Sequence, residues 1–260
     1  MSLPASIADF GPAALAAVVV AAYLVVGEPV VGQVLHRRFE GRLRTDPHAR
    51  RSFYRRLLVL EWGLSVLVLV IWLMSPDVDA AAVGLRWPTQ WPGPVTGAVL
   101  VLVLLFVVVS TRALRGGALL DTAPPVRRAG EGRHAEPAAH ATLALLPRTP
   151  GERRLFTLVG VTAGVCEEWL YRGFFLAVVS AVAGGPSEPV LVAVAAVAFG
   201  LAHAYQGAVG VVTTGVLGGV MAALYLGTGS LLLPVLLHAA IDLRFLLVPA
   251  RVLPTGRAVA

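Results

Sequence analysis

Three apolar runs in the C-terminal half carry six ionisable residues at helical spacing. The first reads Gly164-Val-Cys-Glu-Glu-Trp-Leu-Tyr-Arg-Gly-Phe-Phe and holds Glu167, Glu168 and Arg172. Glu168 and Arg172 are four residues apart, so they share a helix face and can pair. Glu167 lies about 100° round the helix and is left as a spare acid or base. The second run ends Ala198-Phe-Gly-Leu-Ala-His, with Phe199 and His203 on one face. The third reads Val235-Leu-Leu-His-Ala-Ala-Ile-Asp and places Asp242 one turn from His238, where it can hold the ring tautomer or reach the same pocket. Together the runs offer an unpaired carboxylate, two imidazoles and a further carboxylate. Glu167, His203 and His238 are a donor set for a divalent metal such as zinc, with a fourth position open to water. The same groups can work without a metal, with Glu167 as general base and the imidazoles stabilising an oxyanion. Either route hydrolyses an amide bond. A purely structural reading makes Glu168 and Arg172 a brace between helices, and it leaves Glu167 without a partner.

Other nucleophiles are weaker candidates. No His-Glu-x-x-His and no Gly-x-Ser-x-Gly occurs. Ser230 falls in a short Gly-Thr-Gly-Ser turn, and Cys166, the single cysteine, reads as a small apolar filler.

The elements that position these residues are apolar helices. The chain has 260 residues, 57% of them apolar, and a mean hydropathy of +0.78. A soluble domain is typically ~45–50% apolar. Charged residues make up 14%, and all 21 basic residues are Arg. The composition predicts an all-α polytopic transmembrane bundle in contact with the lipid bilayer. Apolar runs near Phe10–Val34, Leu57–Met74, Val95–Ser110, Leu155–Ala181, Pro189–Tyr205, Ala208–Leu226 and Leu231–Val248 give about seven spans, with six to eight fitting the length. Three N-terminal spans (1–110) are followed by a Pro-, Gly- and Arg-rich cytoplasmic linker (111–150) and a four-span core (151–250). Gly215, Gly218, Gly219 and Ala222 give the sixth span a face for close helix approach.

The arginines concentrate in the gaps after the first span (Arg37, Arg38, Arg50, Arg51) and before the fourth (Arg127, Arg128, Arg153, Arg154). They form no stripe with interleaved aromatics, which argues against a nucleic-acid partner. The positive-inside rule puts both gaps in the cytoplasm, the N-terminus outside and the C-terminus inside, in the cell membrane. Glu28 and Glu61 sit near the ends of the first two spans and read as interfacial residues or as partners for an arginine.

The ordered set Glu167-Glu168-x-x-x-Arg172, Phe199-x-x-x-His203 and His238-x-x-x-Asp242, with Tyr171-Arg172-Gly173 and the Gly227-Thr-Gly-Ser turn beside it, resembles the signature of the CPBP intramembrane proteases. That family includes type II CAAX prenyl endopeptidases and relatives of the bacteriocin-immunity type. The resemblance covers roughly Pro147 to Val248. It implies a helical membrane fold with a cavity open to the cytoplasm. It implies Glu167 and His203 as the water-activating pair, His238 and the residue at Asp242 as oxyanion stabilisers or metal ligands, and Glu168 and Arg172 in support. The substrate would be a membrane-associated peptide or protein. The family's prenyl proteases carry Asn at the position of Asp242, and an ionised Asp cannot donate to an oxyanion. Asp242 is therefore expected to orient His238 or to accept from a metal-bound water, unless it is protonated. The alternative to an endopeptidase is a non-catalytic scaffold or immunity-type protein that uses the same polar pocket for binding.

Overall fold

A computed structural model describes residues 2–43, 45–116, 138–249 and 253. The first helix, α1 (Ile7–Arg42), opens on a capping box from Ser6 and Asp9 and is widened by a π turn at Tyr23–Gly27. It is followed by α2 (Ala49–Leu73), α3 (Pro94–Gly116) and α4 (Ala138–Leu145). Helix α5 (Pro150–Glu168) runs through a second π turn, Trp169–Phe175, into α6 (Leu176–Ala183). Then come α7 (Glu188–Ala202), α8 (Gly207–Thr228) and α9 (Leu232–Leu243). The described residues contain no strand. The chain is a helical membrane bundle.

The sequence dictates several of these boundaries. Thr149 accepts from the backbone of Glu152, the Glu152 carboxylate returns to the Thr149 backbone, and Pro150 fills the first helical position, so α5 has a complete start signal. Helices α6 and α8 each stop where Gly184 and Gly229 turn left-handed, with φ of 71° and 67°. Large apolar side chains such as Leu15, Val59, Val95 and Val209 face outward, as a bilayer requires.

Among the described residues, Ile7–Arg42, Ala49–Leu73, Pro94–Ala113 and Ala204–Thr228 are long and apolar enough to cross a membrane. The expected fifth and seventh spans, at the short end of the set, match the helical segments to within a few residues. Helix α7 has 15 residues and α9 has 12, about 22 and 18 Å at 1.5 Å per residue. A 3-10 turn at Arg244–Leu247 carries the helical path of α9 almost to the end of its apolar run. The expected linker also differs from a simple loop. Its described end forms α4, tied to α2 by Tyr54 donating to the Leu145 carbonyl and by Arg50 Nε to the Ala144 carbonyl at 3.0 Å. Residues 117–137 of that linker lie outside the described residues.

Close backbone approach sets the core. A β-carbon at Gly200 would stand 2.6 Å from the Val211 carbonyl, and one at Gly218 would stand 2.9 Å from Phe199 Cβ. The small face of α8 therefore packs on α7, the helix that leads into His203. Gly164 does the same for α5 and α9, where an added carbon would meet Ala239 Cβ at 2.9 Å and the Val235 carbonyl at 3.1 Å. On the other side of α5, Trp62 donates to Thr162 (3.1 Å) and Trp169 donates to the Ser65 carbonyl (3.2 Å), which fixes α2.

Candidate active site

Glu167, His203, His238 and Asp242, drawn from α5, the end of α7 and α9, line one cavity of about 500 Å³. Glu167 and Glu168 close α5, about midway between Arg154 and Ala183. The π turn that follows rotates Tyr171 and Arg172 relative to an ideal helix, a local feature often found beside functional residues.

Glu168 and Arg172 are fully buried behind the cavity wall and line neither cavity of the bundle. Arg172 donates from one terminal nitrogen to Glu168 Oε1 (3.0 Å) and from the other to the Gly218 carbonyl (3.1 Å). Its guanidinium also stacks 4.3 Å above the Phe199 ring. The expected Glu168–Arg172 pair is present. It also has a function that helical spacing did not reveal: Glu168 Oε1 accepts from His238 Nδ1 at 2.7 Å. Glu168 thus holds the His238 ring, with its own charge balanced by Arg172. Asp242 was expected to orient that ring. Instead its Oδ2 lies 3.9 Å from Nε2, too far for a hydrogen bond. The four-residue spacing does put the two on one face, but the Nδ1 partner comes from another helix.

Glu167 Oε2 stands 3.9 Å from the same His238 Nε2 and makes no hydrogen bond of its own. Two groups 3.9 Å apart can both bond one oxygen atom at about 2.8 Å. His238 Nε2 therefore faces a point that Glu167 and Asp242 also border. His203 has a fixed tautomer: its Nδ1 is 2.9 Å from the Phe199 carbonyl, and a carbonyl only accepts, so Nδ1 carries the proton. In the neutral ring Nε2 is left as an acceptor. Tilted packing of His203 on Phe199 (4.7 Å) and of Phe199 edge-on to His238 (5.9 Å) sets the spacing of the two imidazoles.

Glu167, His203 and His238 suit zinc in chemical type. Their geometry does not form a coordination shell, because no group of three or more His, Cys, Asp or Glu among the described residues is placed to hold a metal ion. Tetrahedral ligands at about 2.0–2.2 Å from zinc would stand closer together than 3.9 Å.

Glu28 and Glu61 differ from their expected interfacial role, since both line the cavity. They follow the stripes Leu24, Glu28, Val31, Leu35 on α1 and Tyr54, Leu57, Glu61, Leu64 on α2, whose helical period marks a single inward face. Those stripes were the available signal. The cavity runs along α1 from Tyr23 to His36, roughly 20 Å, toward the ends of α1, α2 and α5 that carry Arg37, Arg50 and Arg153. A second cavity, of about 410 Å³, shares His203, His238 and Asp242 and opens between Phe106 of α3 and Met221 of α8. Leu146, beside α4, lines both. Cys166 is buried and lines neither. Ser230 donates to the Arg86 carbonyl (2.5 Å) and accepts from Leu232, as a turn residue does.

Residues 150–244, a little over a third of the chain, match the family model described as type II CAAX prenyl endopeptidase Rce1-like, which supports assigning this segment to the CPBP/CAAX protease family. The apolar helices and this match together point to a multi-pass membrane protein whose C-terminal segment is similar to a family of membrane proteases. No curated protein and no solved structure matches it.

Proposed function

We propose that the chain is an intramembrane endopeptidase that cuts a membrane-associated peptide or protein near the cytoplasmic face of the cell membrane. The observation that carries this reading is the arrival of Glu167, His203, His238 and Asp242 from three separate helices on one cavity. In this mechanism water binds between Glu167 and His203 Nε2. Both accept its protons, which leaves an oxygen lone pair aimed at the scissile carbonyl. Glu167 takes the proton as the carbon–oxygen bond forms and delivers it to the leaving amine. His238 as an imidazolium donates from Nδ1 to Glu168 and from Nε2 to the developing oxyanion. Asp242, as a carboxylic acid beside Nε2, adds a second donor. Preorganised donors of this kind are worth about 10²–10³ in rate each.

The cavity's extension toward the arginine-bearing helix ends supports substrate entry from the cytoplasm. In this orientation the N-terminus is outside and the C-terminus inside. The test uses the purified full chain in proteoliposomes with a quenched-fluorescent membrane-peptide library. Glu167→Gln and His203→Ala are expected to lower cleavage at least 100-fold. Cleavage that persists in both variants overturns the mechanism. A cellular phenotype that survives in both identifies a binding scaffold instead.

A further inference from the structure

The catalytic cavity carries four carboxyl groups and no arginine. Glu28, Glu61, Glu167 and Asp242 all line it. His36, His203 and His238 are its basic groups. Glu61 is the clearest case: its Oε2 is buried and has no hydrogen-bond partner, and Glu61 lies within electrostatic range of Glu167, Asp242 and Glu28, with His238 the one basic group in that range. Glu28 stands beside the Tyr23 hydroxyl, so it is the better supported of the two. An unpartnered carboxylate in an apolar bundle is costly, and such groups persist where they meet a partner. Among the described arginines, Arg172 is paired with Glu168, Arg153 donates to the Leu246 carbonyl and Arg86 donates to the Gly229 carbonyl. Among the described residues no arginine lines the cavity, and a cationic group on a bound substrate would supply the partner.

The walls around the carboxylates describe that partner. Tyr23, Tyr54, Tyr171 and Tyr205 present aromatic rings, and Leu57, Leu60 and Leu64 present an apolar sleeve above Glu61. A long aliphatic stem that ends in a positive charge, flanked by aromatic rings, fits both features. We propose that Glu61, assisted by Glu28, is a specificity anchor for a Lys or Arg side chain of an otherwise apolar substrate peptide. This rests on the protease reading for its consequence in cleavage, but not for its consequence in binding. Glu61 lies on α2, outside the segment that matches the protease family, so its specificity belongs to the N-terminal half of this chain.

The experiment compares two apolar 15-mer peptides that differ at one central residue, Lys against norleucine. A reduced-amide form of each measures binding by fluorescence anisotropy with the reconstituted full chain, and the ordinary amide measures cleavage. Wild type is expected to bind the Lys peptide at least ten-fold more tightly than the norleucine peptide and to show the same ratio in KM. In Glu61→Gln the ratio falls toward one, and in Glu28→Gln it falls part-way. A ratio of one in wild type overturns the anchor, as does a ratio unchanged by both substitutions. Glu28→Gln and the wild-type peptide pair keep the test decisive if Glu61→Gln does not fold. Selective binding without cleavage of either peptide would support the anchor and defeat the protease reading. Equal cleavage of both would do the reverse.

Discussion

Gly164 touches no substrate, yet the geometry makes it a control point for the chemistry. A methyl group there would stand 2.9 Å from Ala239 Cβ, 3.0 Å from the Ala239 backbone nitrogen and 3.1 Å from the Val235 carbonyl. Carbon atoms pack at about 3.5–4.0 Å, so Gly164→Ala obliges α5 and α9 to part by roughly 0.6–1 Å. Glu168 is one turn from Gly164, and His238 is next to Ala239. The 2.7 Å bond from His238 Nδ1 to Glu168 then stretches to roughly 3.3–3.7 Å, beyond the hydrogen-bond range. A displacement of about 1 Å at a catalytic group costs on the order of 100-fold in rate. The effect on stability is smaller, because overpacking costs about 1–3 kcal/mol while replacing a helical Gly by Ala returns about 1 kcal/mol. The expected result is a folded, monodisperse protein that cleaves peptide about 100-fold more slowly. Adding Ala239→Gly removes the nearest contact but not the two backbone ones, so it restores activity in part. Wild-type cleavage by the single Gly164→Ala variant would refute the claim that this contact sets the distance from Glu168 to His238.

Three further outcomes follow from the same geometry. Arg172→Met leaves the buried Glu168 with His238 as its one remaining partner and should destabilise the bundle by up to about 3–5 kcal/mol, read by unfolding in mixed micelles; adding Glu168→Leu should recover stability but not cleavage, because His238 then has no acceptor for Nδ1. Asp242→Asn keeps a donor beside His238 Nε2 and should hold cleavage within about ten-fold of wild type, whereas Asp242→Ala loses about 10²–10³; an Asn variant as poor as the Ala variant would show that the carboxylate form is needed. At the turn between α1 and α2, the His48 backbone N–H (2.8 Å), with Arg42 beside it, holds the Asp46 carboxyl below the usual carboxylate range. A depressed folded pKa contributes order that is present above the unfolded value and lost as pH falls through the folded one, so the protection factor of the His48 amide, taken relative to its intrinsic exchange rate at each pH, should fall in acid in wild type but not in Asp46→Asn.

The local part of the site was legible because helices repeat. Spacing alone pairs Glu168 with Arg172 and places Phe199 and His238 so that each shares a face with the next polar residue one turn on. The same logic could not say that Glu168 holds His238, since 70 residues separate them and only the meeting of α5 and α9 at Gly164 brings them together. Glu28 and Glu61 were misplaced for a related reason: their depth along each run suggested an interface, whereas the helical stripe they belong to points inward. The linker was read by composition, which hid the short helix α4 that Tyr54 and Arg50 tie to the bundle.

The brevity of α7 and α9 has a consequence for the surrounding lipid. Elements of about 22 and 18 Å cannot match a hydrocarbon layer about 30 Å thick. Lipid beside them must thin, and headgroups and water are drawn toward the level of His203 and Asp242. The hydrolysis proposed above would then rely on a dimple in the bilayer as much as on the protein. The thickness of the host membrane becomes a determinant of turnover, with short-chain lipids favouring the enzyme and long-chain lipids restraining it.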